Sequence, residues 1–132
     1  MDILLVIHSH TRWLILLVAV FAIVKFTIGW LRGSDFKGMD RGLAVGFSGL
    51  MDLQVTLGLV FLIWSSVAGA PFTPSRIEHL VTMVIAAAVA HLPALWKKSA
   101  NNIRFRNTLF CIVASLVLVF MGVVRLRGGW SW

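Results

Sequence analysis

Four long apolar runs alternate with short polar breaks along this chain. The runs fall at about 3–31, 43–66, 76–96 and 103–126. Each is long enough to cross a hydrocarbon core of about 30 Å as a helix. None alternates apolar and polar residues with the period of two that a barrel strand needs. The breaks carry turn and helix-end signals. Gly33-Ser34-Asp35 opens a connection that continues to about Arg41, and 69–75 is rich in Gly, Pro, Ser and Thr. Ser75 with Glu78 three residues on has the capping-box spacing, which predicts the start of the third helix. Lys97 to Asn102 makes the next polar connection, and Gly128-Gly129 stops the fourth run. The expected fold is all-α: one integral membrane domain over 1–132, an up-down bundle of four helices.

Composition agrees. Of the 132 residues, 59% are hydrophobic, and the mean hydropathy is +0.92. A water-soluble domain this small buries too little of its surface to hide that much apolar material. The net charge of +7 would point to nucleic acid in a soluble protein. In a membrane protein it is the ordinary excess of Lys and Arg on the cytoplasmic side, and no basic, aromatic-studded surface for nucleic acid is evident. The N-terminus lacks a basic n-region and a small-residue cleavage site, so it does not read as a signal peptide. The single Cys111 excludes an intramolecular disulfide.

Loop charge predicts direction. Arg32, Lys37 and Arg41 share a side with Lys97, Lys98, Arg104 and Arg106, against Arg12, Arg76, Arg125 and Arg127 on the other. That bias places the basic loops inside and both termini outside. The tryptophans fall near the predicted span ends, as in an aromatic belt: Trp13, Trp64, Trp130 and Trp132 at the outer interface, Trp30 and Trp96 at the inner. Lys25 lies about two turns from the inner end of its span and is expected to snorkel to the interface.

Ionisable residues within spans are costly and need a reason. His8 on the first span and His79 on the third stand at similar depth near the outer face, on parallel helices of an up-down bundle. Two imidazoles at one level can ligate a single iron from both faces of a flat ring, and helix-bundle interiors hold such cofactors. Met83 and Ala86 follow His79 on one helix face and would leave room for haem b. Arg12, one turn from His8, with Arg76 and Arg125, has the chemistry to pair with propionates, though each also suits a plain interfacial anchor. His10 points some 200° from His8 and stays as the alternative ligand. Glu78 beside His79 could join His8 on a simple metal ion, a weak donor set. Asp52 and His91 fall near one level and form a candidate pair. It would serve as a helix-pairing contact, a proton relay or a quinone contact. Gln54 and Thr56 nearby are expected to hydrogen-bond across helices.

The stretches His8-Ser9-His10-Thr11-Arg12-Trp13, Asp52-Leu53-Gln54 through Gly58, and Glu78-His79 followed by Met83 resemble a family of small bacterial four-helix membrane proteins labelled cytochrome b. The architecture is also similar to b-type cytochromes generally and to one half of haem A synthase. The resemblance implies the bacterial inner membrane, one haem on His8 and His79, and electron exchange with quinol or a redox partner protein. In that resemblance Asp52 stands where some relatives carry His, so a second haem is not expected. Two other readings remain open from the sequence. One is a non-catalytic subunit or assembly factor of a larger respiratory or photosynthetic complex, or a homo-oligomer. The other is a small proton pathway through Asp52 and His91. No bond-making reaction is implied, so the enzyme question stays open.

Overall fold

The computed structural model describes residues 2–69 and 73–127, with side chains over 3–69 and 73–124. Its elements are α1 (Asp2–Arg32), α2 (Gly38–Val67), α3 (Pro74–His91), a 3-10 turn (Leu92–Trp96) and α4 (Asn101–Arg127). No strand occurs among the described residues. By length and composition, four helical segments are able to cross a membrane: Ile3–Arg32, Gly38–Val67, Pro74–Trp96 and Asn101–Val124.

Helix packs on helix in a closed ring: α1 on α2, α2 on α3, α3 on α4, and α4 back on α1. Consecutive helices run antiparallel, as their contacts require. His8 meets Gly58 while Lys25 meets Asp40; Arg76 meets Ser65 while His91 meets Asp52; His79 meets Gly122 while Ser115 meets Ala86. The inward stripes follow helical periodicity. On α1 the buried positions are Arg12, Ile15, Ala19, Ala22 and Phe26, and on α4 they include Phe105, Ile112, Ser115, Val119 and Val123. The outward faces are apolar as well. Leu17, Val20, Phe21 and Val24 of α1 are exposed, as are Val113, Val117 and Phe120 of α4. Helices apolar on both sides have the composition of segments able to cross a membrane.

Three connections depart from the sequence reading. First, α2 begins at Gly38, not near residue 43. Asp40 makes this early start, because its carboxylate accepts the Lys37 backbone N–H at 2.9 Å, one of the donors a helix start leaves orphaned. Second, Lys25 has an acidic partner that the sequence reading did not give it. Its ammonium pairs with Asp40, which is only 2% exposed, and so ties α1 to the start of α2. Third, α3 is capped by Thr73, not Ser75. The Thr73 hydroxyl accepts the Arg76 N–H at 3.4 Å, and Pro74 occupies the first turn, where its missing N–H costs nothing. α3 also ends at His91. Pro93 cannot continue its hydrogen-bond ladder, and the chain tightens into the 3-10 turn.

At the end where Lys25 and Asp40 meet, Phe26, Phe36 and Phe105 form a three-ring cluster with centroids 5.0 to 6.1 Å apart. It seats the α1–α2 connection against α4. Asn101 adds two polar ties, accepting the Phe36 N–H at 3.1 Å and donating to Asp35 at 3.0 Å.

Candidate functional site

The α1 stripe does not stop at Ile15. Counting back by three and then four, it passes through Arg12 to His8, so His8 faces the interior of the ring. His10 lies off that stripe. It is exposed, and its ring nitrogen bonds the Val6 carbonyl of its own helix at 2.8 Å. On α3 the same spacing joins His79, Met83, Ala86 and Ala90.

His8 and His79 both line one cavity of about 140 Å³ near the end of the ring opposite the Lys25–Asp40 pair. That volume is about ten times what one buried water requires. The wall is largely apolar, with residues such as Ile15, Met51, Val55 and Val119. Its polar members are His8, Ser9, Arg12, Gln54, Arg76 and His79. The four helices thus bring together His8, Arg12, Arg76, His79 and Met83 of the sequence-derived set. Ala86 is not among the wall residues. It is fully buried on the α4 side, and its carbonyl accepts the Ser115 hydroxyl at 3.0 Å. The Arg125 side chain lies outside the described residues.

Each imidazole rests against a glycine of the next helix in the chain. A Cβ on Gly58 would stand 3.2 Å from His8 Cε1, closer than carbon atoms pack comfortably. A Cβ on Gly122 would collide with the Met83 methyl and stand 3.6 Å from His79 Nδ1. These glycines let the ring-bearing helices approach closely. Polar contacts then fix the register. Gln54 Nε2 donates to the His8 carbonyl at 2.7 Å, one helical turn from Gly58. His79 Nδ1 lies 3.3 Å from the Gly122 carbonyl, which accepts only if that nitrogen carries the proton. The lone pair of His79 then belongs to Nε2, the arrangement that prepares a histidine as a metal ligand.

Charge in and around the cavity is positive. Arg12 is 6% exposed, and its guanidinium lies 5.3 Å from the Trp13 ring centroid. Arg76 donates to Ser65 of α2. Two wall atoms, Ser9 Oγ and Gln54 Oε1, are buried without a hydrogen-bond partner among the described residues. Such atoms cost about 1 to 3 kcal/mol each when left unpaired. They favour an occupant that carries polar groups as well as apolar surface.

Elsewhere, Asp52 and His91 do pair. His91 Nε2 lies 2.8 and 2.9 Å from the two carboxylate oxygens. Both side chains are 53% exposed, so the pair sits on the outside of the α2–α3 seam. Gln54 bonds α1 across helices, whereas Thr56 bonds its own helix at the Asp52 carbonyl. Glu78 is exposed and does not line the cavity. Among the described residues no three His, Cys, Asp or Glu side chains converge as a metal site. The Glu78–His79–His8 set is therefore not assembled.

No family model matches the chain. No curated protein and no solved structure matches it either.

Proposed function

We propose that this chain is a membrane electron carrier of the b-type cytochrome kind, an up-down four-helix bundle holding one haem between His8 and His79. The observation that carries the reading is the pair of half-buried imidazoles, from α1 and α3, lining a single apolar cavity, each packed on a glycine of the neighbouring helix. Two nitrogen donors are too few for a structural zinc site, which takes four protein ligands. They are the full protein complement for an iron that arrives with its own equatorial ring.

The residues present fit that group. His8 and His79 would supply the axial nitrogens, and the bond from His79 Nδ1 to the Gly122 carbonyl sets the tautomer. Gln54 holds the His8 backbone in register. Arg12 and Arg76 would meet the propionate carboxylates, and Ser9 and Gln54 have hydrogen-bonding atoms to offer. Bound haem supplies a one-electron couple. The apolar wall limits water access, and the arginine charges favour the more negative, reduced state of the site.

The same reading places the chain in the bacterial inner membrane, in the cytochrome b-like family its motifs resemble, with quinol or a redox protein as the exchange partner. Its basic end faces the cytoplasm and both termini lie outside. A reduced-minus-oxidised visible spectrum of the detergent-purified protein tests it. A low-spin b-type spectrum, lost in His8→Ala and in His79→Ala but kept in His10→Ala, is the expected result. Colourless protein from haem-replete cells, or a spectrum that survives both ligand substitutions, refutes it.

A further inference from the structure

At the opposite end from the histidine cavity, α2, the 3-10 turn and α4 enclose a second and larger cleft, of about 810 Å³. We propose that this cleft binds the headgroup of an anionic phospholipid. The inference rests on the membrane-spanning reading and is independent of haem.

Five cations line the cleft: Lys37 and Arg41 from the start of α2, Lys97 and Lys98 after the 3-10 turn, and Arg104 from α4. They converge from three parts of the chain. Pro93 contributes to this geometry by ending α3 and opening the 3-10 turn, which carries the two lysines away from the helix axis. These five form no ion pair with a described carboxylate: Asp40 pairs with Lys25 and Asp52 with His91, which also lines the cleft, while Asp35 accepts from the neutral Asn101 and keeps its charge, so the cations outnumber the acidic groups at this end. Arg104 is held in place by stacking 4.0 Å over the Phe36 ring. Five cations lining one cleft leave it net positive, and an anion bound there is favoured by their combined charge.

The floor of the cleft identifies the kind of anion. Below the cations lie Ala44, Val45, Ala90 and Ala94, small apolar residues on segments able to cross a membrane. Inorganic phosphate has no use for that floor. A phospholipid uses both parts, with its phosphate among the Lys and Arg groups and its acyl chain along the α2–α3 seam. Basic clefts between membrane helices on the cytoplasmic side are suited to anionic headgroups.

Native mass spectrometry of protein purified with phosphatidylglycerol, against phosphatidylcholine and against inorganic phosphate, tests the proposal. Wild type should retain phosphatidylglycerol selectively. Each cation near an anionic headgroup contributes roughly fivefold, so Arg41→Gln with Lys97→Gln should lower retention by about 25-fold. Arg32→Gln with Arg106→Gln removes equal charge from the same end but outside the cleft, and should leave retention within about twofold. Equal loss in both double variants would mean diffuse surface charge and overturn the site. Retention of phosphate equal to that of the lipid would overturn the lipid assignment. Should the cleft variant fail to fold, wild type labelled with photoactivatable phosphatidylglycerol gives the answer. Crosslinks concentrated in 41–48 and 90–98 support the cleft, and crosslinks spread around all four helices refute it. Lipid retention is read without colour, so its failure is distinguishable from failure of the haem reading.

Discussion

The Lys25–Asp40 pair gives the sharpest test of how this fold is held. Asp40 is 2% exposed, whereas the Lys25 side chain keeps 32% of its surface accessible. One Asp40 oxygen takes the Lys25 ammonium, and the other takes the Lys37 backbone N–H at 2.9 Å. Removing one partner of a buried pair costs about 3 to 5 kcal/mol, because the remaining charge is stranded. The two partners are not equivalent, however. Lys25→Met strands a carboxylate that has no flexible stem with which to reach water. The partial exposure of Lys25 puts the cost at the lower end, about 3 kcal/mol. Asp40→Asn keeps an oxygen for the Lys37 N–H and leaves a lysine able to extend toward the interface. Its cost is about 1 kcal/mol, that of an ordinary lost hydrogen bond. The double variant leaves no stranded charge and should resemble Asp40→Asn alone, which makes the coupling about 3 kcal/mol. Helicity followed through a denaturing-detergent titration in mild micelles measures all four proteins. If Lys25→Met costs no more than Asp40→Asn, or if the coupling is below about 0.5 kcal/mol, the pair does not hold α1 to α2 as argued.

Three further outcomes are expected. Gly58→Leu fills the seat of the His8 ring and should cut haem recovered per mole of protein at least tenfold, while Gly49→Leu, which meets open space on the same helix, should leave it unchanged; absorbance against protein concentration reads both. Thr73→Ala removes the α3 cap and, given its long 3.4 Å bond, should cost about 0.5 to 1 kcal/mol in thermal unfolding, with Ser75→Ala neutral. His91→Gln breaks the pair with Asp52 but lies twelve residues from His79, about 18 Å along α3; the visible spectrum should be unaltered, and a shift in its low-spin bands would place His91 in the haem site.

The helical content and the four spans are legible in the sequence because apolar runs of membrane length have few other solutions. What local pattern misread were the helix starts. Gly38, Asp40 and Arg41 look like loop by composition, yet Asp40 opens the helix by accepting the Lys37 N–H three residues back; its second partner, Lys25, lies fifteen residues away on another helix, where no local pattern reports it. Ser75 and Glu78 have the spacing of a capping box, but the Thr73-Pro74 dipeptide two residues earlier made the start. Of the candidate site, the α1 face shared by His8 and Arg12 follows from helical spacing alone, and so does the exclusion of His10 from it. The pairing of Asp52 with His91 followed from depth. Gly58 and Gly122 did not announce themselves, because a glycine's role in close approach depends on which helix lies opposite. The small size of Ala86 suits either room for a ring or close helix approach, and the structure shows it buried in the α3–α4 contact, where its carbonyl accepts the Ser115 hydroxyl.

The placement of charge explains why these two regions coexist in so short a chain. Around the His8–His79 cavity the neighbouring helices touch closely at glycines with single hydrogen bonds, and no described carboxylate lines it. Asp40, the one deeply buried carboxylate among the described residues, lies at the other end, where Lys25 and the helix start can satisfy it. Asp40 is engaged by Lys25 and the Lys37 N–H, so it does not pair with the cations that line the cleft. The same pair that closes the α1–α2 corner therefore keeps that end electropositive. Loss of Asp40 would make the cleft more positive, not less, so a weaker hold on anionic lipid in Asp40→Asn would have to come from distortion of the α2 start rather than from charge.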